Sequence, residues 1–195
     1  MSYRKELKYR LSYSDLNILK NSLYKDGLIK LYPSRKILSK YFDTDNLKMF
    51  NDSEEGLLPR KKIRVRWYEN NTDKNLETKI SSIEGRFKTS NKLIDYKSSQ
   101  FNFIDNDYGK IFPSVLISYK REYFSMKGLR ITFDSDINYE NLRILCSNNY
   151  SDPECVMEVK TDVIISEDYI TKIIPFPTSR FSKYSRAILH VKGVF

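Results

Sequence analysis

The sequence predicts an α+β fold: an antiparallel sheet of about eight strands, able to close into a barrel, with helices flanking it. The first observation behind this is alternation with period two, the spacing at which a strand sends successive side chains to opposite faces. In Lys62-Ile63-Arg64-Val65-Arg66-Trp67-Tyr68 the cations Lys62, Arg64 and Arg66 share one side, while Ile63, Val65 and Trp67 share the other. Arg4 to Arg10 repeats the scheme with Arg4, Glu6, Lys8 and Arg10 together. Leu76 to Ile80 pairs Glu77 with Lys79, and Val156 to Lys160 sets Glu158 and Lys160 against Met157 and Val159. The second observation is that the helical candidates are few: Ser12 to Asp26, a short segment through Phe50, Ser166 to Ile173 and Phe181 to Val191. Together these describe a sheet with one apolar face and one face dense in Lys and Arg with a few carboxylates.

The elements follow in order. Ser12 to Asp26 reads as the first helix: Ser12 and Asp15 have the spacing of a capping pair, Leu16, Leu19 and Leu23 form one stripe, and Gly27 offers a stop. A strand near Lys36 to Phe42 ends at Asp43-Thr44-Asp45, which caps a short helix through Phe50; Asn51 to Leu58 is a loop closed by Pro59. Strands are expected at Lys61 to Tyr68, Leu76 to Ser81 and Gly85 to Thr89. From Ser90 to Phe112 the pattern is weak and leaves a helix and a long loop both open. After Pro113 come strands at Ser114 to Tyr123 and Leu129 to Phe133, with a turn at Met126-Lys127-Gly128. In these, Tyr119, Arg121 and Tyr123 share a face, as do Arg130, Thr132 and Asp134. The last strand, Val156 to Thr161, precedes helices at Ser166 to Ile173 and Phe181 to Val191, which Pro175 and Pro177 separate.

A chain of 195 residues fits a single domain over 1–195 with a real core. Its 15 Tyr and 11 Phe supply apolar mass for packing, and 34 Lys and Arg against 25 Asp and Glu leave a net charge of +9. That balance favours anionic partners: nucleic acid, acidic lipid, nucleotides or inorganic phosphates. Cys146 and Cys155 flank a polar stretch and are expected to be reduced bystanders. No segment approaches the ~20 apolar residues of a membrane helix, and the charged N-terminal strand has no export core. The expectation is a cytoplasmic protein whose membrane association would need a partner protein or a basic surface.

Barrel closure would sort the two faces into inside and outside. With cations outward, the apolar rows would fill a small barrel. With cations inward, helices must cover the apolar rows, and Ser12 to Asp26 and the two C-terminal helices are available for that. The alternation leaves both arrangements open. The second encloses like charges at a cost of several kcal/mol per ion unless they are paired.

Read in order, these segments resemble the triphosphate tunnel metalloenzyme (CYTH-like) superfamily, most closely its VTC branch, the polyphosphate polymerase domain of the vacuolar transporter chaperone complex. The matching strings are Arg-Lys-Glu-Leu-Lys-Tyr (4 to 9), Tyr-Phe-Asp-Thr (41 to 44), Lys-Ile-Arg-Val-Arg-Trp-Tyr (62 to 68) and Leu-Glu-Thr-Lys (76 to 79). They continue with Tyr-Lys-Arg-Glu-Tyr-Phe (119 to 124), Leu-Arg-Ile-Thr-Phe-Asp (129 to 134), Met-Glu-Val-Lys (157 to 160) and Phe-Ser-Lys-Tyr-Ser (181 to 185).

The resemblance implies an eight-stranded antiparallel tunnel with flanking helices that binds a triphosphate along its axis, with Mn²⁺ or Mg²⁺ on a tunnel carboxylate. It implies transfer of the γ-phosphate of ATP onto a polyphosphate chain, with inorganic polyphosphate or triphosphate as the other partner and no nucleic acid. Carried over, the phosphate-binding positions are Lys8, Arg64, Arg66, Lys79, Arg121, Arg130 and Lys183, with Glu158 as the metal carboxylate. Lys160 lies on the Glu158 face as a further contact, and Arg86 and Lys88 match a family basic position in looser register. Glu6 and Glu77 are either metal supports or ion-pair partners. One departure bears on the reaction. Hydrolytic relatives begin Glu-x-Glu-x-Lys, whereas this chain reads Arg4-x-Glu6-x-Lys8, so a carboxylate has become a cation and the transferase reading is favoured. The alternatives are a tunnel hydrolase acting on inorganic triphosphate, a nucleoside triphosphate or an RNA 5′ end, and a noncatalytic polyanion-binding module.

These residue types suit the chemistry, because phosphoryl transfer needs charge neutralisation and alignment more than covalent help. Arginine offers a planar fork and lysine a point charge. The one histidine, His190, lies outside every motif and is expected to be structural. Tyr41, Tyr68, Tyr119 and Tyr123 are expected to be core or wall residues. No Gly-rich phosphate loop and no Cys/His zinc spacing is present.

Overall fold

A computed structural model of the chain describes residues 4–94, 102–144, 149–162 and 165–193. Ten strands and four helices follow in the order β1 (Arg4–Leu11), α1 (Tyr13–Lys25), β2 (Ile29–Asp43), α2 (Lys48–Glu55), β3 (Arg60–Tyr68), β4 (Lys74–Ser82), β5 (Gly85–Leu93) and β6 (Phe103–Asp105). The remainder are β7 (Gly109–Met126), β8 (Leu129–Asn141), β9 (Tyr150–Ser151), β10 (Cys155–Asp162), α3 (Glu167–Ile173) and α4 (Lys183–Val191). Eight strands form one hydrogen-bonded path, β1-β10-β8-β7-β2-β3-β4-β5, with β6 attached to β7 and β9 to β8. The path is open, with β1 and β5 at its ends, so the antiparallel eight-strand prediction holds while closure by strand pairing is absent from the described residues. None of the helices among them is long and apolar enough to cross a membrane.

The chain packs as two compact units, and β2, β7 and β8 each contribute to both. The first comprises Met1–Lys36, Tyr119–Ile137 and Ser151–Phe181. Here β1 pairs antiparallel with β10 and β10 with β8, which aligns Tyr9, Met157 and Phe133 in one cross-strand row and Leu7, Val159 and Ile131 in the next. That apolar face packs against Leu16, Leu19 and Leu23 of α1 and against Ile170 and Ile174 at α3. The stripe foreseen for the first helix is therefore the buried one, and the capping box between Ser12 and Asp15 forms. The Ser166 side chain caps α3 by accepting from the Tyr169 amide.

The second unit comprises Ile37–Ser118, Asn138–Tyr150 and Ser182–Phe195. Its core gathers Phe42, Ile63, Val65 and Ile111 with Met49 of α2, and Trp67, Leu76, Phe103 and Tyr108 pack against it. Cover for this apolar face thus includes α2 and the β6–β7 hairpin. The last helix, α4, plays a different part: Tyr184 stacks on Tyr41 at 4.8 Å, and Tyr41 sits opposite Arg64 on the other face of the sheet.

Several boundaries differ from those expected, each for a physical reason. β2 begins at Ile29 rather than near Lys36, and its first eight residues are exposed, so no inward-facing alternation marks them. α2 runs to Glu55 where a loop was expected from Asn51, ending at Gly56 in the left-handed conformation, φ 76°. Its N-cap position, Leu47, makes no side-chain cap bond. The foreseen cap residues act from further upstream: Asp43 accepts from the Met49 and Phe50 amides at 2.8 and 2.9 Å, and Thr44 Oγ1 accepts from the Lys48 amide at 2.8 Å. β7 starts at Gly109 and carries Pro113 within it, where proline was read as a boundary. The silent stretch 90–112 holds the end of β5 and the short β6–β7 hairpin, whose turn is fixed by Asp105 Oδ1 accepting from the Asp107 and Tyr108 amides. Cys155 is a buried free thiol, which burial pushes up to about 11; Cys146 lies outside the described residues.

Asp43 is fully buried, and its carboxylate also accepts a short hydrogen bond from the Tyr184 hydroxyl. Asp43→Ala orphans two helix-start amides and a buried phenol, and is expected to lower unfolding free energy by about 2–4 kcal/mol in chemical denaturation. Asp45→Ala, at a fully exposed side chain in the same foreseen cap, is expected to change it by less than about 0.5 kcal/mol.

Candidate functional site

Each unit turns a charged face away from its apolar core. In the first unit the register makes two cross-strand rows: Lys8, Glu158 and Thr132, then Glu6, Lys160 and Arg130. Lys8 Nζ lies 3.5 Å from Glu6 and 3.8 Å from Glu158 and donates to the Phe181 carbonyl at 3.1 Å. Lys160 pairs with Glu6 at 3.3 Å. Arg121, on β7, forms two 2.6 Å hydrogen bonds to Asp134, whose side chain is wholly buried, and reaches Glu158 at 3.5 Å. Burial alone would lower the Arg121 pKa, but Asp134 and then Glu158 raise it well above the ordinary value. Lys8, Arg121, Arg130 and Lys160 thus share this face with Glu6, Asp134 and Glu158, and Arg10, two residues on from Lys8, is held by Glu154 at 2.8 Å. Arg130 is exposed and directly opposite Lys160, a juxtaposition of like charge that works against folding.

The second unit is more strongly cationic. Lys62, Lys79 and Lys88 lie directly opposite one another across β3, β4 and β5, a row of three ammonium groups with no carboxylate in it. The next row is Tyr41, Arg64, Glu77 and Ser90, and Arg66 follows opposite Ser39 and Asn75. Arg64 is held on both sides: its Nε and Nη2 lie 2.7 and 2.6 Å from Glu77, and its Nη1 donates to the Tyr41 hydroxyl at 2.7 Å. Both Glu77 oxygens are engaged, Oε2 by Arg64 and Oε1 by Lys88 at 2.5 Å. Burial would raise Glu77, but Arg64 and Arg66 outweigh it and hold the carboxyl down to about 2.

Tyr41 shows the same field from the other side. Burial on its own raises a phenol, yet Arg64, Arg66 and Lys79, with the Arg64 hydrogen bond, bring Tyr41 down from its ordinary value to about 7. Lys62 donates to Ser182 Oγ at 3.2 Å and lies 5.6 Å from the Tyr184 ring centroid, which brings the start of α4 to this face. Arg86 sits on the same face of β5, opposite Ser81 and exposed. His190 stacks on Tyr150 at 3.9 Å, a packing role.

The structure therefore gathers Glu6, Lys8, Arg121, Arg130, Glu158 and Lys160 on one face of the first unit. It gathers Arg64, Arg66, Glu77, Lys79, Arg86 and Lys88 on one face of the second; Lys183 is the first residue of α4, between Ser182 and Tyr184, which both meet Lys62. Sequence reasoning placed Asp134 on the face of Arg130 and Thr132 without giving it a role, and read Tyr41 as a core or wall residue. Their meetings with Arg121 and Arg64 are set by how neighbouring strands align. Among the described residues no cluster of three or more His, Cys, Asp or Glu could cage a metal. The donor set suits an ion that takes one or two protein carboxylates and completes its shell from phosphate oxygens and water, as Mg²⁺ does. Glu158 fits that role, its contacts to Lys8 and Arg121 being 3.8 and 3.5 Å. Glu77 is saturated by cations.

A search of curated proteins gives no match. Among solved structures, a candidate adenylate cyclase from Bacillus halodurans superposes with a TM-score of 0.60 at 15% identity, over 93% of this chain and 94% of that one. A candidate adenylyl cyclase from Hippeastrum, described as having a dominant triphosphatase activity, gives 0.58 at 15% identity, covering 96% of both chains. A conserved protein from Pyrococcus furiosus gives 0.57 at 12% identity, over 93% and 99%. At these identities the likenesses show a shared fold. The VTC domain family matches residues 3–192, nearly the whole chain, and the protein belongs to that family.

Proposed function

We propose that the chain is an ATP-dependent polyphosphate polymerase, transferring the γ-phosphate of ATP onto the end of a polyphosphate chain with Mn²⁺ or Mg²⁺. The observation that supports it most directly is the Lys62–Lys79–Lys88 row beside a fixed Arg64, in a chain of the VTC family. Lysines directly opposite one another work against folding; Glu77 offsets Lys88 and Ser182 accepts from Lys62, and an anion with several charges lying along the row would offset the repulsion further. A chain of phosphates has the matching form.

In the reaction, a terminal oxygen of the acceptor forms a bond to the γ-phosphorus as the bond from that phosphorus to the β,γ-bridging oxygen breaks, and ADP leaves. The acceptor is already an anion, so no strong base is required. Arg64, locked between Glu77 and Tyr41, presents a guanidinium whose orientation is set before substrate arrives. Arg66, Lys79, Lys88 and Lys183 neutralise phosphate charge at the same face. In the first unit Lys8, Arg121, Arg130 and Lys160 do the same, and Asp134 holds Arg121 in place. A divalent ion on Glu158 would neutralise phosphate oxygens during transfer. Arg4 in place of the first carboxylate of the hydrolytic pattern removes one support for a second metal and an activated water.

A hydrolase is the second reading, favoured by the triphosphatase activity of the Hippeastrum protein that shares the fold. The products decide. Purified protein with ATP and Mn²⁺ is expected to yield long phosphate chains on a gel, and release of free phosphate alone would reject polymerisation. Glu158→Ala is expected to lose most of the activity, at least about a hundredfold, while the folded state persists by circular dichroism.

Tyr41 supplies a pH signature. Its folded pKa of about 7 lies below the ordinary phenol value, so its ionisation stabilises the fold fully only above that ordinary value and ceases to contribute as pH falls through 7. The phenolate difference absorbance of ligand-free protein is expected to show a one-tyrosine step near pH 7 that Tyr41→Phe lacks. Inorganic triphosphate is expected to move the step upward, because its charge offsets the cations that depress it. The absence of any tyrosine step below about pH 9 would contradict this account of the field.

A further inference from the structure

Among the described residues, Thr132 Oγ1, Arg143 Nε, Thr161 Oγ1 and Ser179 Oγ are buried without a hydrogen-bond partner, and of these Thr132 stands in the Lys8–Glu158 row. Thr132 is 6% exposed, and its Oγ1 has no hydrogen-bond partner among the described residues. By register it faces Glu158 directly, in the row that continues to Lys8, with Arg130 and Asp134 two residues away on its own strand. Every neighbour named there has a definite charge. Asp134 is taken by Arg121 at 2.6 Å, and Glu158 lies near Lys8 and Arg121. A buried hydroxyl left unpaired costs stability, and valine, of the same shape, would avoid that cost. A threonine kept at such a position is accounted for by a ligand that supplies the missing acceptor.

We propose that Thr132 is a phosphate-binding residue, whose hydroxyl donates to a non-bridging oxygen of an oligophosphate bound on the Lys8–Glu158 row. The inference rests on the phosphate-binding reading of this face and adds a neutral donor to a set otherwise made of cations. The distinction matters physically. Lysine and arginine attract any anion over a distance, with strength that salt screens. A buried hydroxyl contributes only when an acceptor oxygen sits within hydrogen-bond reach, so Thr132 would fix the register of the phosphate chain along the strands rather than its general attraction.

The test measures binding of inorganic triphosphate by calorimetry, without divalent metal, to the full chain and to Thr132→Val and Thr132→Ser, with melting curves for all three. Thr132→Val is expected to weaken binding by about tenfold or more while melting no lower than the parent. Thr132→Ser, which keeps the hydroxyl, is expected to bind within about threefold of it. The weakening by valine is expected to be the same at low and high salt, because the group removed carries no charge.

Equal binding by Thr132→Val and the parent would overturn the inference while leaving the phosphate site intact. Weakened binding in both variants together with a lower melting temperature would make the hydroxyl part of the fold, which also overturns it. Failure of the parent itself to bind triphosphate would remove the phosphate-binding reading, and this inference with it.

Discussion

The constraint on which the rest depends is that cations are held close together on one sheet face of each unit, some of them well out of water. Arg64 is 8% exposed at its side chain and Arg121 15%. Taking such groups out of water costs several kcal/mol each unless partners compensate. Two carboxylates carry most of that compensation. Glu77 engages Arg64 and Lys88, and Asp134 takes both forks of Arg121. Each spends one negative charge to fix a guanidinium while leaving its unit's face with an excess of cations. Apolar residues of similar volume would make a more stable sheet. The retention of charge is what the proposed phosphate chemistry explains.

The sorting of faces was open at the sequence level, and packing resolved it within each unit. Alternation told which residues share a side but not which side the helices take. Leu16, Leu19 and Leu23 land on Tyr9, Met157 and Phe133, so in the first unit the apolar face is the covered one. In the second unit Met49 and Ile111 cover Phe42, Ile63 and Val65. The charged faces are left for something other than core packing, and the notion of apolar rows filling a barrel interior is not what either core is built on.

Legibility followed the strength of local pattern. β3 was readable almost to the residue because Ile63 and Val65 are buried between Lys62, Arg64 and Arg66. The capping box of α1 was readable because both partners lie within one turn. The start of β2 was not, since eight consecutive exposed residues carry no period-two signal. The β6–β7 hairpin was hidden for another reason: the interactions that define it, Asp105 to the turn amides and Lys61 to Asp105, depend on one side chain and a distant partner. In the site, cations were legible by parity and by resemblance. Their partners were not, because the meeting of Asp134 with Arg121, or of Tyr41 with Arg64, is set by cross-strand register, which a single strand does not encode.

Register also explains how a helix end is tied to the charged face in the second unit. Asp43 closes the first turn of α2 and accepts from the Tyr184 hydroxyl. Tyr184 lies in α4 and stacks on Tyr41 at 4.8 Å, and Tyr41 in turn accepts from Arg64. The sequence order Tyr41-Phe42-Asp43 makes this possible. Tyr41 and Asp43 share a strand face while Phe42 enters the core, so one tripeptide serves the guanidinium, the core and the helix cap at once. A shift of β2 by one residue would reverse all three assignments. Any movement of α4 that separates Tyr184 from Tyr41 must therefore also unsettle the group that orients Arg64. The arginine that meets phosphate thus has its orientation maintained by packing two layers away from it, which is the preorganisation that charge-stabilised transfer requires.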